Sequence, residues 1–576
     1  MFHTKNIRLN KLTLARVFVT GLIILPLIVS LLFNHLESFG LSYQPSLYIS
    51  FFNIFYIIIV FLYVIKQKKL NIFITHIDII LILVYIYYNF QVLNTSTFSV
   101  LGINYQTSIL LITYYLLLRI INHNYIKDIS LFSLMIIFFI FFYILINYPT
   151  KSTLSSLKLV FNNTGILSAY LCILTPSIFL IIDLNTNSNK TLVLAIIILG
   201  LMLFILKSRS SLIAYSIGII YLLYNKTHLK NKFFYIIGFL SFTMLPLYLL
   251  MNLKKSSFKG RKFIYELCLD LCKDSPLTGY GYKSFDHLYN MHQADFFKKN
   301  IHSYDLHLLA DNIHLSLNDY IHTYIENGII GLILFLLLLY FSLSTINSIK
   351  DDKYLKSSIL IFYTLCLFSY PLQIFSIQVY IISLLSWLSK TSKKQYIIKN
   401  KIIHISMYIG MIISLLYNIF NLSNTLKWKK AYELSTINQT NSLLLYKNIE
   451  FFFTWNNAFL LEYGILLNEQ NKFVESFKIL EILIHLYSDT EIYVLQGDNL
   501  VNFNKPKSKY YYEIASFMTP NRLLPKYKLM SFYMSTKQTD KAYYKALEIL
   551  ETPMKINNPT GFLIKKEASK IITNFK

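Results

Sequence analysis

Residues 311–331 read DNIHLSLNDYIHTYIENGIIG and stand directly before the apolar run LILFLLLLYF. His314, Asn318, His322 and Glu326 recur every four residues, so a helix over this stretch puts them on one stripe. Two imidazoles beside a carboxylate are groups that handle protons near neutral pH. A second set is basic. Lys207 and Arg209 sit in LKSRSSLIAY between two apolar runs, and Arg261 sits in FKGRKF. A guanidinium binds the paired oxygens of a phosphate in its own plane. The chemistry on offer is therefore proton transfer beside a bound anion. The plainer alternatives are solvated histidines at a helix start and an arginine snorkelling to lipid phosphates.

The elements that must position these groups lie in a membrane. The 576 residues are 55% hydrophobic and 14% charged, more apolar surface than a soluble fold can hide. About thirteen apolar segments have spanning length. They lie near 12–33, 47–65, 71–92, 104–121, 129–148, 164–183, 191–206, 211–224, 233–252, 319–346, 356–370, 372–388 and 402–422. The formal net charge of +25 would suggest nucleic acid in a soluble protein. Here Lys and Arg concentrate in loops such as KQKK, NKTHLKNK, KDDKYLK and KTSKKQYIIKNK, which fall on one side of the threading. That is the positive-inside pattern, and it excludes a nucleic-acid partner as the reason for the charge. It predicts a cytoplasmic N-terminus, membrane helices over 1–252 and 319–422, and extracytoplasmic regions at 253–318 and 423–576.

The 253–318 loop divides into an amphipathic helix opened by Arg261, a turn DSPLTGYG at 274–281, and an irregular His-rich middle before the polar stripe. Gly328 and Gly331 are expected to let another helix approach closely. Cys172, Cys268, Cys272 and Cys366 read as packed thiols, with a disulfide as the alternative, and their spacing matches no zinc pattern. No metal or other cofactor is predicted; the His302–His314 cluster has no standard ligand spacing. After residue 422 the pattern turns amphipathic with a period of about 33–34 residues, that of tetratricopeptide helix pairs. Tyr463-Gly464, Gln496-Gly497 and Leu529-Met530 align, as do Ser476, Lys509 and Ala542.

Taken in order, these motifs resemble the O-antigen ligase and polymerase superfamily of membrane glycosyltransferases, which includes bacterial O-oligosaccharyltransferases. The matching pieces are FNNTG at 161–165, Ser208-Arg209, Gly260-Arg261, DSPLTGYG at 274–281, LNDY at 317–320 and ENGIIG at 326–331. The resemblance covers roughly 160–345. It implies an all-α, GT-C-like helix bundle in the bacterial inner membrane, often with an appended tetratricopeptide-like domain. It implies transfer of a glycan from a polyprenyl-diphosphate carrier to a lipid, glycan or protein acceptor, inverting and without a metal. Arg209 and Arg261, with Lys207 nearby, would hold the diphosphate. The family most often has His before the Asn of this motif, where this chain has Leu317. Leucine moves no proton. His314 or His322 takes over, the base is dispensable, or catalysis is impaired. The competing classes are a lipid-linked sugar transporter, for which His76 and Asp78 inside one apolar segment are the only ionisable hint, and a membrane-anchored scaffold.

Overall fold

The computed structural model describes residues 2–32, 43–66, 72–94, 103–121, 123–147, 161, 163–185, 189–225, 248, 255–299, 304–346, 352–398, 401–554 and 558–574. The predicted segment at 233–252 falls almost wholly outside them. The described residues are mostly helical. The apolar segments become α1 (Phe2–Leu32), α2 (Gln44–Lys66), α3 (His76–Asn94), α4 (Ile103–Ile120), α5 (Tyr125–Asn147), α6 (Thr164–Asn185), α7 (Asn189–Ile205) and α8 (Arg209–Asn225). The loop region gives α9 (Lys255–Asp274), α10 (Phe285–Lys299) and α11 (Tyr304–Leu309). α12 (Asp319–Ser344), α13 (Asp352–Cys366), α14 (Phe375–Thr391) and α15 (Lys401–Leu434) follow. Among the described residues, five helices are long and apolar enough to cross a membrane. One small departure from all-α is an antiparallel ribbon, β1 (Ile72–Ile74) on β2 (Tyr396–Ile398), with Phe73 opposite Ile397.

α6 is the most enclosed of these helices, 83% buried. Its neighbours approach through small residues and paired hydroxyls, as helices must where apolar surface alone gives no preference. A Cβ on Gly218 of α8 would lie 2.4 Å from Ile361 of α13. Ser168 and Ser211 join α6 to α8 at 2.8 Å. α5 instead leaves Met135, Phe138 and Phe139 exposed, as a lipid-facing helix does. Asp78 on α3 is not a loose intramembrane charge. It accepts from Thr75, Ser389, Tyr115 and Arg119 and so ties α3, α4 and α14 together. That arrangement reads as a structural staple. All four cysteines are free thiols.

Helix α15 runs unbroken across the expected boundary at 422. Its end pairs with α16 (Gln439–Phe453), and three more pairs follow: α17 (Asn457–Glu469) with α18 (Phe473–Leu486), α19 (Thr490–Leu500) with α20 (Lys505–Met518), and α21 (Leu523–Ser535) with α22 (Thr539–Glu551). α23 (Pro559–Asn574) closes the row. The repeat is legible in its close contacts. Ser442, Ser476 and Ser508 each donate to a carbonyl on the first helix of the pair, at Ala431, Gly464 and Gly497. Ser508, not Lys509, therefore stands in register with Ser476. The separation from Gly497 to Ser508 is one residue shorter than that from Gly464 to Ser476, and Lys509 faces Glu513.

One buried acid makes this region pH-dependent. Glu462 accepts from Trp428 Nε1 (2.8 Å) and the Tyr446 hydroxyl (3.0 Å). Burial pushes its carboxyl from the usual 4.5 to about 7, with those two donors pulling the other way. A raised carboxyl binds its proton more tightly folded than unfolded, so stability is greatest below pH 4.5 and falls as pH rises through 7. The loss is on the order of 3 kcal/mol. Thermal midpoints of wild type and Glu462→Gln, followed from pH 4.5 to 8, are expected to diverge in that window, with only the wild type declining. Parallel curves would contradict the assignment.

Candidate functional site

α12 begins at Asp319, because Asn318 caps it. The Asn318 side chain accepts from the Tyr320 and Ile321 amides at 3.0 and 3.2 Å. Residues 311–318 are not helical, so the four-residue stripe is broken. His322 and Glu326 remain on it, both buried, with Nε2 3.4 Å from Oε1. His314 does not. It pairs with Asp286 through Nδ1 (2.7 Å) and stacks on Tyr487, ring centres 4.6 Å apart and nearly parallel. Burial pulls the His314 imidazole down, but the hydrogen bond and charge of Asp286 outweigh it and hold it above its usual range. Burial likewise pushes the Asp286 carboxyl up, against the pull of His314 and the Ser488 amide.

α12 is kinked at Gly328, whose φ of 61° and ψ of −166° no other residue adopts readily. At the kink the normal four-residue ladder is open. The carbonyls of Ile325 and Glu326 accept instead from Tyr280 and Gly281, both at 2.9 Å. The amides of Ile329 and Ile330 donate instead to Pro276 and Leu277, at 2.9 and 3.4 Å. The DSPLTGYG turn is thus inserted into the helix and satisfies the groups the kink frees. Gly279 (φ 71°) and Gly281 (φ 100°) supply its left-handed corners. A Cβ on Gly328 would sit 2.2 Å from the Leu277 carbonyl. So Gly328 receives a turn rather than a helix, and Gly331 lies beside Tyr87 of α3. Tyr87 and Gln91 close the joint by donating to Asn327 O (2.7 Å) and Thr278 O (2.6 Å).

The two arginines come from separate stretches of the chain. Arg209 starts α8, two residues before the Ser211 contact to α6. Lys207 beside it is left-handed, with φ 52°. Arg261 lies in the second turn of α9 rather than opening it, and Nη1 donates to Phe368 O at 2.6 Å. Burial lowers the Arg209 guanidinium below its usual range, and the charge of Arg261 lowers it further. The two cations are therefore near enough to repel.

Phe368 belongs to the turn between α13 and α14, and residues 367–373 of that turn act as a hub. Leu367 O accepts from the Asn318 side chain (3.0 Å), and the Leu372 amide donates to Asp319 (2.8 Å). The Tyr370 hydroxyl accepts from Asn163, which also caps α6. Asn163, Arg261, Asn318 and Asp319, from three separated stretches, all converge there. Sequence reading missed this hub because it works mostly through backbone groups, with Pro371 as its only compositional mark. It also missed Asp319, fully buried beside Cys366, and Tyr265, whose hydroxyl donates to Leu317 O (3.1 Å). Leu317 itself is held at φ 59° with its side chain turned into the loop's own core. Among the described residues no group of three or more His, Cys, Asp or Glu is placed to hold a metal ion. The irregular middle expected at 287–310 is in fact α10 and α11, with residues 300–303 between them outside the described residues.

Residues 194–336 match the family model described as O-antigen ligase. The matched stretch carries Lys207, Arg209, Arg261, the inserted turn, Asn318, His322, Glu326 and the kink. No curated protein and no solved structure matches the chain.

Proposed function

We propose that this protein is a membrane glycosyltransferase. It moves a glycan from a polyprenyl-diphosphate carrier to a hydroxyl of lipid A core, of a growing glycan or of a protein, at the outer face of the bacterial cytoplasmic membrane. The observation that carries the reading is a chain of contacts between the two arginines: Arg261 is tied to the 367–373 turn, that turn reaches the start of α6 through Asn163 and Tyr370, and α6 meets the start of α8, which carries Arg209, at Ser168 and Ser211, with both arginines inside the stretch that matches O-antigen ligase. Two like charges held near each other are unfavourable until an anion joins them. A diphosphate is such an anion, and it gains negative charge as the glycosidic bond breaks. The asymmetry of Lys and Arg among the loops supports about thirteen spans with the N-terminus inside. It also supports an extracytoplasmic, tetratricopeptide-like C-terminal region.

In this mechanism the acceptor oxygen bonds to the anomeric carbon from the face opposite the carrier. The carbon–oxygen bond to the diphosphate breaks with its electron pair, and the anomeric configuration inverts. The two guanidiniums, with Lys207 close by, stabilise the leaving diphosphate, so no metal is required. The acceptor proton goes to His322, whose partner Glu326 stabilises the imidazolium that forms. His322 is favoured over His314 because it shares the buried face of α12 with Glu326, while His314 is engaged by Asp286 and Tyr487. His322→Gln is expected to lower kcat by about 10²–10⁴-fold with the donor KM little changed. An unchanged kcat would remove His322 from the reaction. The reading as a whole is tested by deleting the gene and profiling surface glycans. One glycoconjugate is expected to lose its sugar chain while its lipid-linked precursor accumulates; an unaltered profile would contradict the proposal.

A further inference from the structure

The C-terminal helix pairs touch the loop at one place. Two successive turns that join one pair to the next, 487–490 and 518–522, lie along α10 and the non-helical segment 310–314. Asn290 and Gln293 of α10 are both fully buried, and the side-chain amide of each reaches both the segment and a turn. Asn290 donates to Ile313 O (3.1 Å) and to Ser488 O (3.0 Å), and its own carbonyl accepts from the Ile313 amide (3.0 Å). Gln293 donates to Asp311 O (3.0 Å) and to Met518 O (2.7 Å). Each amide therefore fastens the segment and a turn at once. The turns also hold the segment directly. Thr490 donates to Asn312 (2.7 Å), Arg522 pairs with Asp311 (3.0 Å), and Asn521 donates to Ala310 O (2.6 Å). Tyr487 covers His314, and the Ser488 amide donates to Asp286 (3.1 Å). Buried polar groups satisfied at both ends fix one geometry, because every alternative leaves one of them unpaired.

We propose that the C-terminal helix pairs act in cis as a brace: their inter-pair turns fix residues 310–314 and, through them, the start of α12 that carries His322 and Glu326. Only three residues separate His314 from Asn318, so the brace sets where the α12 cap sits against the hub. Tyr487 and Asp286 are on this account positioning residues. They bear mainly on the rate of the proposed glycan transfer, since the bonds named above reach the segment before α12 and not Arg209 or Arg261. The role in turnover rests on that proposed function, but the mechanical role does not.

The test uses the full chain in detergent or liposomes, with Tyr487→Ala, Tyr487→Phe and Asp286→Ala. Hydrogen exchange of residues 311–327 is expected to quicken in both alanine variants and to stay near wild type in Tyr487→Phe, which keeps the stacked ring. Their kcat is expected to fall by about ten- to a hundredfold with donor KM unchanged. Tyr487→Phe should restore most of it. Unaltered exchange over 311–327 overturns the brace whatever the activity. Faster exchange with unaltered kcat overturns its role in turnover. A wild type inactive towards every lipid-linked glycan would count against the functional reading alone, leaving the exchange result to decide the brace. Should the alanine variants not accumulate, Asn312→Cys with Thr490→Cys provides the second arm. Oxidation to the cross-linked form is expected to leave the rate unchanged. A rate lost on cross-linking and regained on reduction would show that the joint must open, which overturns a fixed brace.

Discussion

Arg209→Ala is expected to lower kcat for glycan transfer by about 10²–10³-fold, corresponding to roughly 2.7–4 kcal/mol of transition-state stabilisation. The side chain is half-buried at the start of α8, and its charge is already strained by Arg261. Removing it relieves that repulsion. The variant should therefore insert and fold as well as the wild type, and the whole loss should appear once the diphosphate is present. Arg261→Ala is expected to cost more, because it also removes the tie to Phe368 O and loosens the hub. Arg261→Lys keeps a charge but not the planar fork, and should fall between the two. Rates for all three, normalised to inserted protein, provide the check. Transfer unaffected in both alanine variants would leave the scaffold reading standing.

Gly328→Ala is the second large effect. A Cβ there meets the Leu277 carbonyl at 2.2 Å and its carbon at 2.4 Å, both backbone atoms that cannot step aside. Strain at φ 61° adds to the overlap, about 2–6 kcal/mol in all. The chain has a cheaper response than unfolding. α12 can straighten, so that Ile329 and Ile330 regain Ile325 and Glu326 as partners and the 274–281 turn is expelled. Glu326 and His322 then rotate away from the hub. Glycan transfer is expected to fall at least a hundredfold, and the Tyr280 and Gly281 amides should lose protection from hydrogen exchange. Gly260→Ala is the contrast. Gly260 belongs to an equally visible Gly-Arg motif, yet a Cβ there meets nothing within 4 Å and the residue is helical. Its replacement should leave stability unchanged or slightly raised. Equal stability in the two variants would contradict the inserted-turn account.

These two glycines show what the sequence made legible. Glycine in DSPLTGYG announced a left-handed turn, and the apolar runs announced the helices that position it. What the turn joins was not visible, because pairing between residues 276–281 and 325–330 is a tertiary fact with no local signature. The site residues divide the same way. Arg209 stood out because cations are rare between apolar runs, and Arg261 because it follows a glycine in an amphipathic stretch. Asp319 did not, since one Asp after a capping Asn looks like ordinary helix-start chemistry. His314 was placed on the wrong face by carrying a helical period across Asn318. The cap signal in SLND was present and outranks periodicity at a helix end. The 367–373 hub left almost no trace, because it works mostly through carbonyls and an amide that every residue type supplies.

The central claim is that Arg209 and Arg261 together hold one diphosphate. Its most direct test is equilibrium binding of polyprenyl diphosphate, the released carrier, to purified wild type, the single alanine variants and the double variant at several salt concentrations. The account predicts saturable binding by the wild type, weaker binding in each single variant, and a double variant that loses less than the two single losses combined, because both cations act on one ligand. Wild-type affinity retained in the double variant would contradict it.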